Sequence, residues 1–215
     1  EVATLEEITI EAVVGNLPNA ERGAGACDIK LKVSKGFEFT GVEKGDSDAG
    51  DYITTLRTGC SDYVSEISET GWYKVSCGGY IKPSHCEILT GNNDITCRVS
   101  SANREIGENY EKFILNCSSF PAFKGSINGK VLSLTLYNTE WSDFSSTDTE
   151  SELMYRINPV DNGDGSVTVY FFSKTSLWGW DIFTDSENGT FSVVLKGAPS
   201  LSDDTAKPLS GITAA

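Results

Sequence analysis

Hydrophobic and polar residues alternate along much of this chain. Ile8, Ile10 and Ala12 alternate with Thr9 and Glu11, and Ile29, Leu31 and Val33 with Lys30 and Lys32. The same period returns at Leu132, Leu134 and Leu136, at Val167, Val169 and Phe171, and at Phe191, Val193 and Leu195. A period of two sends every second side chain to the same face of a strand. Each run therefore has one face for a core and one for solvent or a second layer. Further strands are predicted over Phe37–Glu43, Tyr52–Arg57, Trp72–Tyr80, Ile95–Ser100, Tyr110–Asn116 and Leu153–Ile157. Turn residues separate the runs, as in Gly45-Asp46-Ser47-Asp48-Ala49-Gly50 and Asn162-Gly163-Asp164-Gly165. Asn128-Gly129 between apolar flanks predicts a tight hairpin. Glu105–Lys112 has the makings of a helical turn or two, weakened by Gly107. Short strands with regular turns predict an all-β protein, an antiparallel β-sandwich.

Length and charge narrow the picture. The chain has 215 residues, which suits one large β domain, here residues 1–197, with an extended tail over 198–215. It carries 31 acids against 17 bases, a formal net charge of −14. Nucleic-acid binding needs a basic footprint, and anionic membranes repel such a chain. Cationic partners, metal ions and neutral sugars remain compatible. No apolar run approaches the roughly 18 residues of a spanning helix. The opening EVATLEEITIEA has no signal-peptide pattern and reads as the start of a mature chain, from which a targeting segment or an anchor has been removed.

Six cysteines, Cys27, Cys60, Cys77, Cys86, Cys97 and Cys117, fit three disulfides in a secreted or cell-surface protein. The alternative is six buried thiols. Six cysteines allow about 15 pairings. Cys77 with Cys86 is the first choice, because Gly78-Gly79 and Pro83-Ser84 can turn the chain between them. Cys97 with Cys117 and Cys27 with Cys60 would follow. Two N-glycosylation sequons, at Asn116 and Asn188, point to the same compartment, and Asn188 sits in the more turn-like sequence. Either asparagine also reads as a plain turn residue.

Three stretches taken together resemble a known family. They are Cys27–Val33 with Phe37–Asp46, then Thr70–Val75, then Asn188–Val193. Their order resembles cohesin-like β-sandwich domains, especially those of archaeal surface proteins. That resemblance implies a jelly-roll-like sandwich that serves protein–protein attachment outside cells, without catalysis. Val75–Tyr137, rich in cysteine, departs from the family pattern and reads as an inserted β subdomain, so the resemblance does not extend to a dockerin-type partner.

Catalytic motifs are absent. There is no GxSxG, no HExxH and no phosphate loop, and the only histidine, His85, lies beside Pro83 and Cys86 in a tight turn. Asp46, Asp48 and Asp51 form one acidic cluster; Asp161 and Asp164, with Asn162, form another. Oxygens so spaced can wrap calcium, and the same residues make ordinary turns. Trp178 and Trp180 flank Gly179 and would put two rings on one side of a strand, facing either a sugar or a core.

Three functions follow. The leading one is an extracellular structural subunit of a filament, pilus or surface layer, assembled by strand exchange through residues 1–14 or the tail. The second is a carbohydrate- or protein-binding module. A hydrolase using a carboxylate pair comes last.

Overall fold

The computed structural model of the protein describes residues 29–90, 94–141, 147–148 and 151–197. The strand expected at Ile8–Ala12, Cys27 and the tail lie outside these residues. Nineteen strands run through the described chain, with no α-helix and one 3-10 turn at Pro83–His85. The all-β reading therefore holds. The strands divide over four small sheets, arranged like the blades of a four-bladed propeller, with one sheet curled into a half-barrel.

The first sheet contains β1 (Lys30–Val33), β4 (Cys60–Tyr63), β8 (Cys86–Leu89) and β11 (Phe120–Pro121), in the order β11-β4-β1-β8. The second contains β9 (Cys97–Ile106), β10 (Tyr110–Cys117), β14 (Thr139–Glu140), β18 (Leu177–Asp185) and β19 (Thr190–Gly197), ordered β14-β9-β10-β19-β18. The third contains β12 (Phe123–Asn128), β13 (Val131–Leu136), β15 (Thr147–Asp148), β16 (Met154–Asp161) and β17 (Val167–Ser173), ordered β12-β13-β17-β16-β15. The fourth contains β2 (Phe39–Glu43), β3 (Tyr52–Arg57), β5 (Glu66–Ile67), β6 (Tyr73–Lys74) and β7 (Tyr80–Ile81), ordered β3-β2-β7-β6-β5. Residues 75–137 supply strands to all four sheets rather than a sheet of their own.

The alternating runs build the core. Leu132, Leu134 and Leu136 of β13 are fully buried, and Val167, Val169 and Phe171 of β17 lie beside them in register. The second and third sheets face each other through rings. Phe113 lies 5.2 Å from Phe171, Phe123 lies 5.7 Å from Phe191, and Trp180 meets Phe123 edge-on. Gly125 permits the last contact, because a Cβ there would sit 2.4 Å from the Trp180 ring. A tight hairpin does join β12 and β13, but its turn residues are Gly129 and Lys130: Asn128 ends β12 opposite Val131, and Gly129 takes φ +61, in the left-handed region.

Two local expectations are corrected. Trp72–Tyr80 is not one strand but two, β6 and β7, folded back through a turn closed by Val75 N–H to the Gly79 carbonyl. Glu105–Lys112 is no helix but the tip of the β9–β10 hairpin, where Gly107 N–H donates to the Tyr110 carbonyl at 2.9 Å. Cross-strand partners outweigh the weak helical periodicity there.

Candidate functional site

Two features set the β9 side of the molecule apart. The first is a core face left uncovered. Ala102, Arg104 and Ile106 stand directly opposite Leu115, Phe113 and Glu111 of β10, so they share the inward face of the second sheet. Leu115, Phe113 and Glu111 are buried, yet Ile106 is 58% exposed and Ala102 is exposed too. Among the described residues, the outermost strand of the third sheet, β15, has two residues paired to β16. The exposure of Ala102 and Ile106 leaves this part of β9 without cover on its inward face.

The second feature is Glu111, which sits where the uncovered face meets the core. It is 1% exposed and its carboxylate accepts hydrogen bonds from Ser151 Oγ and from Met154 N–H. Its other oxygen, Oε2, lies 2.9 Å from Arg104 Nε. This is an ion pair by distance, but its alignment leaves Glu111 Oε2 and Arg104 Nε and Nη2 without a hydrogen bond. Buried polar atoms in that condition are uncommon in folded proteins. A pocket of ≈ 620 Å³ opens beside Glu111, bordered by Ile106, Tyr110, Ser151, Leu153 and Gly197.

A separate aromatic face lies at the other edge of the second sheet, where β18 meets β3. The Arg57 guanidinium stacks 5.5 Å from the Phe39 ring and 5.8 Å from the Phe183 ring, and it pairs with Asp181. Both rings are about half exposed, at 53% and 48%. Thr184 Oγ1 also donates to the Thr58 carbonyl, so the fourth sheet covers this edge of β18. Stacked Arg and aromatic side chains at a surface suit protein or sugar contact.

Asp62 is the most deeply buried acid among the described residues and joins three sheets. It accepts Tyr63 N–H and Ser76 N–H at 2.8 Å, Ser76 Oγ at 2.6 Å and Asn138 Nδ2 at 2.8 Å. Asn138 reaches it from a left-handed backbone conformation, φ 50, which asparagine tolerates better than most residues. Burial pushes the Asp62 carboxyl up to about 6, against the pull of those donors. Sequence patterning did not single out Asp62, Glu111 or Arg57. The signal for Asp62 and Glu111 was an acid at an inward position of a strand.

Of the five described cysteines, none stands at disulfide distance from another. Cys97 and Cys117, one of the expected pairs, are nonetheless brought into side-chain hydrogen-bond contact, and that contact together with burial raises the Cys97 thiol. Burial pushes the Cys60, Cys77 and Cys86 thiols up to about 12, which keeps them neutral at pH 7. Cys77 follows β6 in the fourth sheet, whereas Cys86 begins β8 in the first. The partner proposed for Cys60, Cys27, lies outside the described residues.

The other expected site residues are placed as follows. Asn188 is exposed in the β18–β19 turn, with its N–H and Nδ2 held by Asp185. Asn116 is half-buried in β10 and donates from Nδ2 to Ser101 Oγ. Asp46 accepts Thr70 Oγ1, Asp48 pairs with Lys82, and Asp51 pairs with Lys44. Hydrogen bonds from Thr70 and Ser68 hold Asp46 below its ordinary range. Asp161 and Asp164 accept hydrogen bonds from Gly163 N–H and from Ser166. Each acid thus serves its own turn or lysine, and no trio of metal-ligating side chains comes together among the described residues. The two tryptophans part company. A bulge between Leu177 and Gly179 breaks the alternation, leaving Trp178 74% exposed while Trp180 packs against the core. His85 Nδ1 lies 2.7 Å from Thr40 Oγ1, and its ring stacks on Phe37.

No helix among the described residues is long and apolar enough to cross a membrane. No family model, curated protein or solved structure matches the chain.

Proposed function

We propose that this protein is a non-catalytic structural subunit of an extracellular assembly, a filament, pilus or surface layer whose copies join by strand exchange. The observation that carries this reading is the uncovered inner face of β9. Ala102 and Ile106 point to the core side of their sheet and are exposed, so a sandwich-like pair of sheets lacks cover along one side. Main-chain pairing with an added strand is the economical way to close such a side. Oxidation of Cys97 and Cys117 to a disulfide and a glycan on exposed Asn188 would fit the same extracellular setting, as would calcium at the acidic turns.

Negative-stain electron microscopy of native, nonreduced protein tests the reading, with sedimentation velocity over a range of concentrations. Regular fibres or sheets, or concentration-dependent oligomers, are expected. Monomers at every concentration would overturn it.

A second reading, a cohesin-like binding module for a sugar or protein, draws on the face of Phe39, Arg57 and Phe183, with Trp178 as a further exposed ring. It expects a monomer whose tryptophan fluorescence shifts on ligand binding.

A further inference from the structure

We propose that the open edge of β9, from Val99 to Ile106, is the acceptor for residues 3–14 of a second copy of this chain. The inference rests on the strand-exchange reading above and names both its donor and its acceptor.

The backbone of β9 supplies the first argument. Gly107 and Tyr110 form a hydrogen-bonded pair at the hairpin tip. Hydrogen-bonded and non-hydrogen-bonded pairs alternate along an antiparallel ladder. Ile106, Arg104 and Ala102, opposite Glu111, Phe113 and Leu115, therefore belong to non-hydrogen-bonded pairs. Their N–H and C=O groups point away from β10. On that side β14 pairs only with Cys97 and Arg98. Among the described residues, the rest of that edge pairs with no other strand, so it offers the row of donors and acceptors that a further strand needs. In the third sheet β15 pairs with Arg156 and Ile157 of β16, and Pro159 stands just beyond that pairing, where it has no N–H to offer a further strand.

The second argument is the unsatisfied pair at the end of the groove. Glu111 is buried with Oε2 lacking a hydrogen bond, and Arg104 Nε and Nη2 share that condition. These atoms are closed off from solvent, so a strand along β9 meets them only where the half-buried Arg104 side chain turns toward it.

The third argument is the donor. Residues 3–14 read ATLEEITIEAVV, with Ile8, Ile10 and Ala12 on one face. That face can cover Ala102 and Ile106 while the strand pairs with the β9 backbone. The segment contains acids and no base, which suits Arg104 on the groove floor. The chain from residue 15 to 28 can span roughly 45–50 Å when extended, enough to reach a neighbouring molecule.

Two full-length variants test the assignment. Ala102→Glu with Ile106→Glu places charge of the donor's own sign in the groove, at positions exposed in the monomer, where the fold has little packing to lose. Ile8→Asp with Ile10→Asp spoils the donor face. Each variant alone should lose association at least tenfold in sedimentation velocity. An equimolar mixture should recover dimers, because one intact donor meets one intact groove. A mixture that stays monomeric would overturn the assignment. If the donor variant fails to assemble but the groove variant assembles like wild type, strand exchange stands and the β9 acceptor falls. A wild-type chain that is monomeric throughout would remove the functional reading itself.

Discussion

Three carboxylates are buried among the described residues, and two of them, Asp62 and Glu111, mark a contrast between a closed joint and an open one. The third, Glu43 in the fourth sheet, also keeps an oxygen without a hydrogen bond. Asp62 stands at the junction of the first, third and fourth sheets with four donors, and no salt bridge joins it to a described residue. Glu111 stands at the margin of the second sheet with a cation at 2.9 Å and an oxygen that still lacks a hydrogen bond. The difference shows that burial alone does not mark a finished site. Asp62 is a joint already made, because every donor comes from the same chain. Glu111 is a joint in which part of the polar surface awaits a neighbour.

The largest test of this contrast is Asp62→Ala. It strands the Ser76 and Asn138 donors inside the protein and should cost at least about 3 kcal/mol, read as a fall in the denaturation midpoint. Little change would mean that Asp62 is not a joint between sheets.

The pH dependence of stability comes next. The folded carboxyl of Asp62 is raised to about 6, above its unfolded value of about 3.9. The folded state then binds the proton more tightly, so stability is greatest below the unfolded value and falls as pH rises from about 4 to 6. The loss is on the order of 2–3 kcal/mol and should vanish in Asp62→Asn. Exposed acids with lowered values, such as Asp46, Asp164 and Asp185, work in the opposite direction but only below about pH 4.

Gly125→Ala probes the ring packing between the second and third sheets. The added Cβ collides with the Trp180 ring and should cost about 1–3 kcal/mol, with a shift in tryptophan emission as that ring moves outward.

Glu111→Gln should be milder, about 1–2 kcal/mol in the dispersed monomer, because Gln keeps an acceptor for Ser151 and Met154 but gives up the charge that faces Arg104. Trp178→Ala should change stability by less than about 0.5 kcal/mol, since its ring packs little. A large cost there would mean that the bulge at Trp178 carries structural weight.

Much of the strand content was legible because the period of two is a direct consequence of backbone geometry. Leu132, Leu134 and Leu136 point inward as their spacing required, and the chain turns at Gly129, where glycine tolerates a positive φ. The division into four sheets was not legible. β10 pairs with β19 across more than 70 residues of chain, and β1 pairs with β8 in preference to a sequence neighbour. Alternation gives a strand its two faces but not its partner. The separation of Trp178 from Trp180 was hidden for a related reason. A bulge changes the parity of a strand without leaving a mark in composition. Glu111 and Asp62 were two acids among 31, and their burial appears only once the strands have paired.

The most direct measurement is amide hydrogen exchange at Ala102, Arg104 and Ile106 in assembled and dispersed protein. If β9 is the acceptor, these three amides exchange freely in the monomer and become strongly protected on assembly, while Glu105 and Asn103 are protected in both. Equal, fast exchange at Ala102, Arg104 and Ile106 in both states would contradict the account.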